Sequence, residues 1–115
     1  MIIGIITRQG SYEDKKDICE LYISRDSSDR LPHEHRKKKP ICMNIGVTTY
    51  EAGVHETAEG VVWISSVLYK KEPKREKARL VDALATIGLR KGDRIRIKSN
   101  DNGTFSILPK KFSAS

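Results

Sequence analysis

The sequence predicts a mainly β domain with one or two short helices, folded as a seven-stranded or similar open pseudobarrel. Short stretches rich in β-branched residues recur along the whole chain, whereas one segment alone has clear helical spacing. A chain of 115 residues is the usual size of one domain. We therefore treat residues 1–115 as a single domain.

Six segments carry strand patterns, either apolar runs or strict alternation of apolar and polar residues. They are 2–7, 18–24, 41–47, 61–69, 94–98 and 104–108. Residues 100–103, Asn-Asp-Asn-Gly, predict a hairpin turn between the last two, because these residue types accept positive φ. The polar stretches 8–17 and 51–60 are interpreted as connections. Trp63 and Phe105 are candidates for stacking with single-stranded bases, but both lie inside apolar strand patterns and are expected in the core.

A helix is predicted to begin after Pro73 and to end at Ile87. Leu80, Leu84 and Ile87 recur at helical spacing, and Gly88 follows as a C-terminal cap. One helix among many short strands favours a small barrel over a doubly wound sheet.

The net charge is concentrated in two segments. The chain carries a formal charge of +7, with a pI near 9.5. Residues 24–39, the first basic segment, hold six basic and three acidic residues. Residues 69–79, the second basic segment, hold six basic and two acidic residues, so the other 88 residues are neutral. Such localisation indicates a surface that binds a polyanion, and nucleic acid above all.

The sequence gives little sign of a membrane or secreted protein. No apolar run approaches the roughly 20 residues that span a bilayer, and residues 1–7 lack the features of a signal peptide. Cys19 and Cys42 lie in apolar stretches. Two buried free thiols in a reducing cytoplasm are the simplest interpretation, although a disulfide stays open. We expect a cytoplasmic protein with no membrane partner.

Two motifs suggest metal or nuclease chemistry, but each is incomplete. His33-Glu34-His35 invites a zinc interpretation, yet Cys19, Cys42 and His55 show no recognisable ligand spacing relative to it. Residues 72–74, Glu-Pro-Lys, have the Glu-x-Lys spacing of many nucleases but lack an upstream Asp partner, and the proline would break the strand. We expect no metal, no cofactor and no catalytic residue, and hence no enzyme activity of this chain alone.

The last third of the chain resembles a known family of DNA-binding pseudobarrels. Residues 80–109 contain a helix pattern, a Gly-Leu-x-x-Gly-Asp turn at 88–93 and a hairpin. This order resembles the plant B-three-type domain and its bacterial relative, the effector-binding domain of the restriction enzyme EcoRII. Residues 22–28, Tyr-Ile-Ser-Arg-Asp-Ser-Ser, are similar in type to an arm of that domain. The plant family's tryptophan before the turn is absent, and AbrB-type regulators share the turn.

The resemblance implies two arms that grip the major groove, one after an early strand and one before the helix. Residues 23–39 and 65–75 occupy these places and include most of the two basic segments. The lysines are expected to contact phosphates, and the other polar residues base edges. The predicted DNA-binding residues are Arg25, Asp26, Ser27, Ser28, Asp29, Arg30, His33, His35, Arg36, Lys37, Lys38, Lys39, Ser66, Tyr69, Lys70, Lys71, Glu72, Lys74, Arg75 and Lys77.

The resulting hypothesis is sequence-specific recognition of double-stranded DNA in the major groove. The domain would be the target-recognition part of a type II restriction endonuclease without its nuclease domain, monomeric when isolated and with no small-molecule substrate. An AbrB-like dimeric transcriptional regulator, an RNA-binding module and a magnesium-dependent nuclease are the alternatives.

Overall fold

A computed structural model describes residues 1–35 and 37–110. These residues form eight strands, one α-helix and one 3-10 turn, so the predicted mainly β class is confirmed. In chain order the elements are β1 (Ile2–Ser11), β2 (Asp17–Ile23), the 3-10 turn (Ser28–Arg30), β3 (Lys39–Ile45), β4 (Thr48–Glu56), β5 (Val62–Lys70), β6 (Glu76–Arg79), α1 (Leu80–Ala85), β7 (Arg94–Ser99) and β8 (Phe105–Ile107).

Seven of the strands form a closed barrel in the order β2-β1-β7-β8-β3-β4-β5, and pairing of β2 with β5 completes the ring. The β3–β8 pair is parallel, and the other pairs around the ring are antiparallel. One edge of β5 serves two partners, because residues 63–64 pair with β2 and residues 67–70 pair with β6. The predicted mainly β barrel of seven strands is thus confirmed, and the β2–β5 pair closes the ring that was predicted to be open.

Alternate residues of the strands fill the barrel interior. Leu21, Ile64 and Ile97 are fully buried, as expected for side chains that point to one face of a strand. Leu80 and Leu84 of α1 join the same core. Further inward positions are held by Ile2, Ile6, Cys19, Ile23, Met43, Ile45, Val54, Val62, Leu68, Ile95, Phe105 and Ile107. The core prediction for Phe105 is therefore confirmed.

The helix is shorter than predicted: it begins at Leu80 instead of directly after Pro73, and it ends at Ala85 instead of Ile87. Residues 76–79 form β6 instead, where Ala78 pairs with Leu68 of β5. Strand pairing satisfies the backbone of 76–79 without a helical turn. At the other end Gly88, with φ of +79°, follows the helix as predicted for a C-terminal cap.

Two stretches interpreted as connections contain strand. β4 runs through residues 51–56, and β1 continues to Ser11. The inner face of β4 consists of Tyr50, Ala52 and Val54, of which only Val54 is β-branched, so the strand pattern is weak in the sequence. Pairing with β3 on one edge and β5 on the other holds this strand in place. Long-range pairing therefore decides what local pattern leaves undefined.

Candidate nucleic-acid interface

The two basic segments meet at the ring of Tyr69 at the end of β5. The guanidinium carbon of Arg75 lies 4.2 Å from the ring centroid, and Nζ of Lys38 lies 5.8 Å from it. Both distances are within the range of cation–π contacts. Lys38 reaches the ring across Gly53, where a Cβ atom would lie 2.6 Å from Lys38 Cε. The glycine thus leaves room for the lysine stem on the outside of β4.

The middle of the first basic segment is anchored in the barrel. The Ile3 amide donates a hydrogen bond of 3.0 Å to Ser27 Oγ, which lies 3.1 Å from Ser24 Oγ. Ser27 is 4% exposed and Leu31 is 1% exposed. The charged residues around these anchors face solvent: Arg25, Asp26, Asp29 and Arg30. Ser28, half-buried, donates its hydroxyl hydrogen to the Arg25 carbonyl at 3.2 Å.

Two histidines hold the following part of the segment against the end of β4. His33 Nδ1 lies 2.6 Å from the Leu31 carbonyl oxygen, while His33 Nε2 is 3.8 Å from Glu56 Oε2. His35 Nδ1 is 3.5 Å from Glu56 Oε1. Within residues 1–35 and 37–110, no three His, Cys, Asp or Glu side chains are grouped so that they could hold a metal ion.

Residues 37–39, three consecutive lysines, lead from the two histidines into β3. Glu34 and Lys37 form an isolated β-bridge, and Lys39 Nζ lies 3.5 Å from Glu34 Oε1. Lys37 and Lys38 are exposed, and Lys39 is half-buried at the start of β3. The predicted contact residue Arg36 lies outside the described residues.

The second basic segment places most of its charges on an exposed tip between β5 and β6. Arg75 Nη1 lies 3.2 Å from Glu51 Oε2, and Lys74 Nζ lies 3.9 Å from Glu76 Oε1. Such exposed ion pairs are weak, so they leave the cations available to a ligand. The exposed predicted residues are Lys71, Glu72, Lys74, Arg75 and Lys77, and the half-buried ones are Ser66, Tyr69 and Lys70.

Cys42 lies beside this tip, where Lys71 Nζ approaches its sulfur at 3.2 Å. Both cysteines are free, as predicted, but Cys42 is half-buried on the outside, whereas Cys19 is buried. Burial raises the pKa of the Cys19 thiol.

The structure adds an outward row of rings that the sequence prediction missed. Trp63 is half-buried on the outside of the barrel, so its assignment to the core was wrong. It stacks between His55, with centroids 4.3 Å apart, and Tyr22, with centroids 6.3 Å apart. The alternation that buries Val62 and Ile64 already directs Trp63 outward, and this signal was available. We call Tyr22, Trp63 and His55 the aromatic row.

Electrostatics differ along the row. Burial lowers the pKa of His55, and the charge of Lys38 lowers it further. At the other end, burial raises the pKa of Tyr22, and the neighbouring Glu20 carboxylate adds to this increase. The neutral imidazole and the neutral phenol are therefore favoured, which suits ring stacking.

Fold and surface together define the class of this chain: it is a small, mainly β, closed barrel whose two basic segments meet on the outer surface at Tyr69. No protein-family model, curated protein or solved structure matches the sequence or the fold. Residues 1–35 and 37–110 contain no helix whose length and apolar character would allow it to cross a membrane.

Proposed function

We propose that the domain binds a short double-stranded DNA site, with its two basic segments facing the major groove. The observation that carries this proposal is their meeting at Tyr69, where Lys38 and Arg75 approach the same ring. The two segments hold the entire net charge of the chain. A continuous positive surface is what a polyanionic duplex requires.

Phosphate contacts supply the affinity in this proposal. Exposed lysines of both segments are free to pair with phosphates and release counterions, which makes binding steeply dependent on salt. They are Lys37, Lys38, Lys71, Lys74 and Lys77. The half-buried Lys39 and Lys70 flank them.

Base contacts supply the specificity. Arg25 and Arg30 stand exposed beside the carboxylates of Asp26 and Asp29. Arginine pairs with guanine through two hydrogen bonds, and a carboxylate accepts one from the cytosine amino group. Ser27 is left out of this contact set, because its hydroxyl is buried and bonded to Ile3 and Ser24.

Arg75 is the strongest candidate for a base contact in the second segment. The Tyr69 ring supports its guanidinium from one side, and Glu51 accepts from Nη1. Such support reduces the conformational entropy that an arginine loses on binding. In its finer form, our proposal is the role implied by the EcoRII resemblance: target recognition for a restriction endonuclease whose nuclease lies in another domain.

Selection from a pool of randomised duplexes tests the proposal. We expect an enriched short motif, and affinity for it that falls steeply between 50 and 200 mM salt, as phosphate contacts require. Lys71→Ala should weaken binding, whereas Lys98→Ala, an exposed lysine on β7 away from the tip, serves as the matched control.

Three results would overturn parts of the proposal. A pool without an enriched motif rules out specific recognition. Affinity that stays constant with salt rules out the phosphate contacts. Preference for an RNA duplex in a competition assay replaces DNA by RNA as the ligand.

A further inference from the structure

The aromatic row belongs to a longer line of side chains that crosses five strands. Successive register pairs join Arg94 of β7 to Ile5 of β1, Ile5 to Tyr22, Tyr22 to Trp63, and Trp63 to His55. The residues next to them along their strands fill the core, so this line lies on the outside of the barrel. Ile5 is 41% exposed.

The rings are close to parallel. The planes of Tyr22 and Trp63 differ by 18°, and those of His55 and Trp63 by 14°. The barrel interior is filled by other residues, so these rings are not needed to complete the core. In proteins that bind single-stranded nucleic acid, aromatic side chains on the surface are the platforms on which bases stack.

A groove of about 650 Å³ lies at the β1 end of the row. Tyr22 and Ile5 form one part of its wall, and Arg94, Arg30 and Asp26 form another. Since β1 and β5 lie on opposite sides of β2, Tyr22 borders the groove on the side away from Trp63. A planar group that lies over Ile5, the β1 partner of Tyr22, can therefore extend the stack.

The polar side chains of the groove match the parts of a nucleotide. Arg94 and Arg30 are exposed cations suited to a phosphate, and Arg30 also donates to the Met1 carbonyl at 3.3 Å. Asp26 offers a carboxylate that can accept from an exocyclic amino group. The charge of the two arginines favours a nucleic-acid occupant over an apolar peptide.

We propose that this groove binds an unpaired base of an otherwise double-stranded DNA, with the base stacked on Tyr22. Trp63 and His55 continue the stack behind it. Asp26 favours bases with an amino group, such as cytosine or adenine, over thymine. This inference rests on the proposed duplex binding and changes one part of it, since Asp26 and Arg30 then contact the unpaired base and its phosphate instead of paired bases. An unpaired base costs little to place outside the helix.

The site is tested by comparing the binding of two duplexes, one fully paired and one with a single unpaired cytosine. Trp63 is the only tryptophan of the chain, so its fluorescence reports on the row directly. We expect the unpaired cytosine to raise affinity by about tenfold, the order measured for one base stacked on an aromatic ring. The same duplex should quench Trp63 emission more strongly than the paired one.

Variants at the groove locate the effect. Tyr22→Leu should abolish the preference and leave affinity for the paired duplex unchanged, whereas Tyr22→Phe should keep the preference. In case Tyr22→Leu does not fold, Asp26→Asn provides a second measurement. It should lower the ratio of affinities for unpaired cytosine and unpaired thymine.

The possible outcomes separate this inference from the proposed function. Equal binding of both duplexes with unchanged Trp63 emission overturns the groove site alone. A preference that persists in Tyr22→Leu overturns it as well. If no duplex binds but a single strand quenches Trp63, the stacking site stands and duplex recognition is overturned. If neither ligand binds, both are overturned.

Discussion

The two basic segments have similar charge but are held to the barrel in different ways. The first is fixed from within, because Ser27 and Leu31 are buried between its charged residues. The second is fixed from its ends, because pairing of Lys70 with Glu76 closes its tip while the tip itself stays exposed.

Because of this difference, substitutions in the two segments should affect different properties, namely stability in the first and ligand binding in the second. A change at a buried anchor of the first segment should affect the whole fold, since its contacts belong to the core. A change on the tip of the second should affect ligand binding alone, since exposed residues contribute little to the free energy of unfolding.

Leu31→Ala should have the largest effect. Truncation of a leucine that is 1% exposed should lower the free energy of unfolding by about 3 kcal/mol, through lost burial and a residual cavity. Urea denaturation followed by circular dichroism measures it. Arg25→Ala, in the same segment but exposed, is the control. A loss below about 1 kcal/mol would mean that the first segment is not part of the core.

Replacement of three exposed lysines of the second basic segment by alanine should reduce duplex affinity on the order of 30-fold without a change in stability. The variant combines Lys71, Lys74 and Lys77, which are all exposed. Each lost phosphate contact should reduce the salt slope by about one. Fluorescence anisotropy at several salt concentrations measures both quantities. An unchanged slope would show that the second basic segment does not contact phosphates.

Ser27→Ala should destabilise the fold by about 1 kcal/mol, because the partly buried Ile3 amide loses its acceptor. Ser28→Ala, whose hydroxyl bonds only to an exposed carbonyl, is the matched control and should change stability by less than about 0.5 kcal/mol. Thermal unfolding of the pair compares them. Equal losses of stability in the two variants would show that Ser27 does not anchor the first segment more strongly than the surface residue Ser28 does.

The smallest expected effect concerns pH. Burial places the pKa of His55 in the folded state below its ordinary value of 6.5, so protonation is less favourable in the fold than in the unfolded chain. The contribution of His55 to stability is therefore complete above pH 6.5 and declines as the pH falls toward the lowered pKa.

His55→Phe keeps a ring beside Trp63 and removes the titration. Its stability should fall less steeply below pH 6.5 than that of the wild type, as urea denaturation at successive pH values would show. Identical pH profiles of the two proteins would contradict a lowered pKa of His55 in the folded state.

Local pattern was sufficient to predict most of the barrel. Alternation identified β2 and β7, and turn chemistry identified the Asn100–Gly103 hairpin. Local pattern gave the wrong prediction at β6. The helical pattern around Leu80 was extended to the preceding residues, which instead pair with β5. Closure through Leu21 and Ile64 depends on partners far apart in sequence, which no local signal contains.

The candidate site was predictable in charge but not in shape. Both basic segments are evident from the distribution of charge along the sequence, and Lys38 joins them at the Tyr69 ring. The groove beside Tyr22 could not be found in this way, because it combines Arg94 with Asp26 from distant parts of the chain. The apolar neighbours of Trp63 predicted a core position, but its place between the buried Val62 and Ile64 directs its side chain outward.

The divided edge of β5 has a consequence for how such a domain can change. Residues 63–64 complete the ring with β2, while residues 67–70 carry β6 and the basic tip. The ring therefore closes independently of what the β5–β6 connection contains. We expect loops of other lengths and charges to replace this connection while the barrel remains intact. The β5 edge would then allow the recognition segment to vary without a change in the fold.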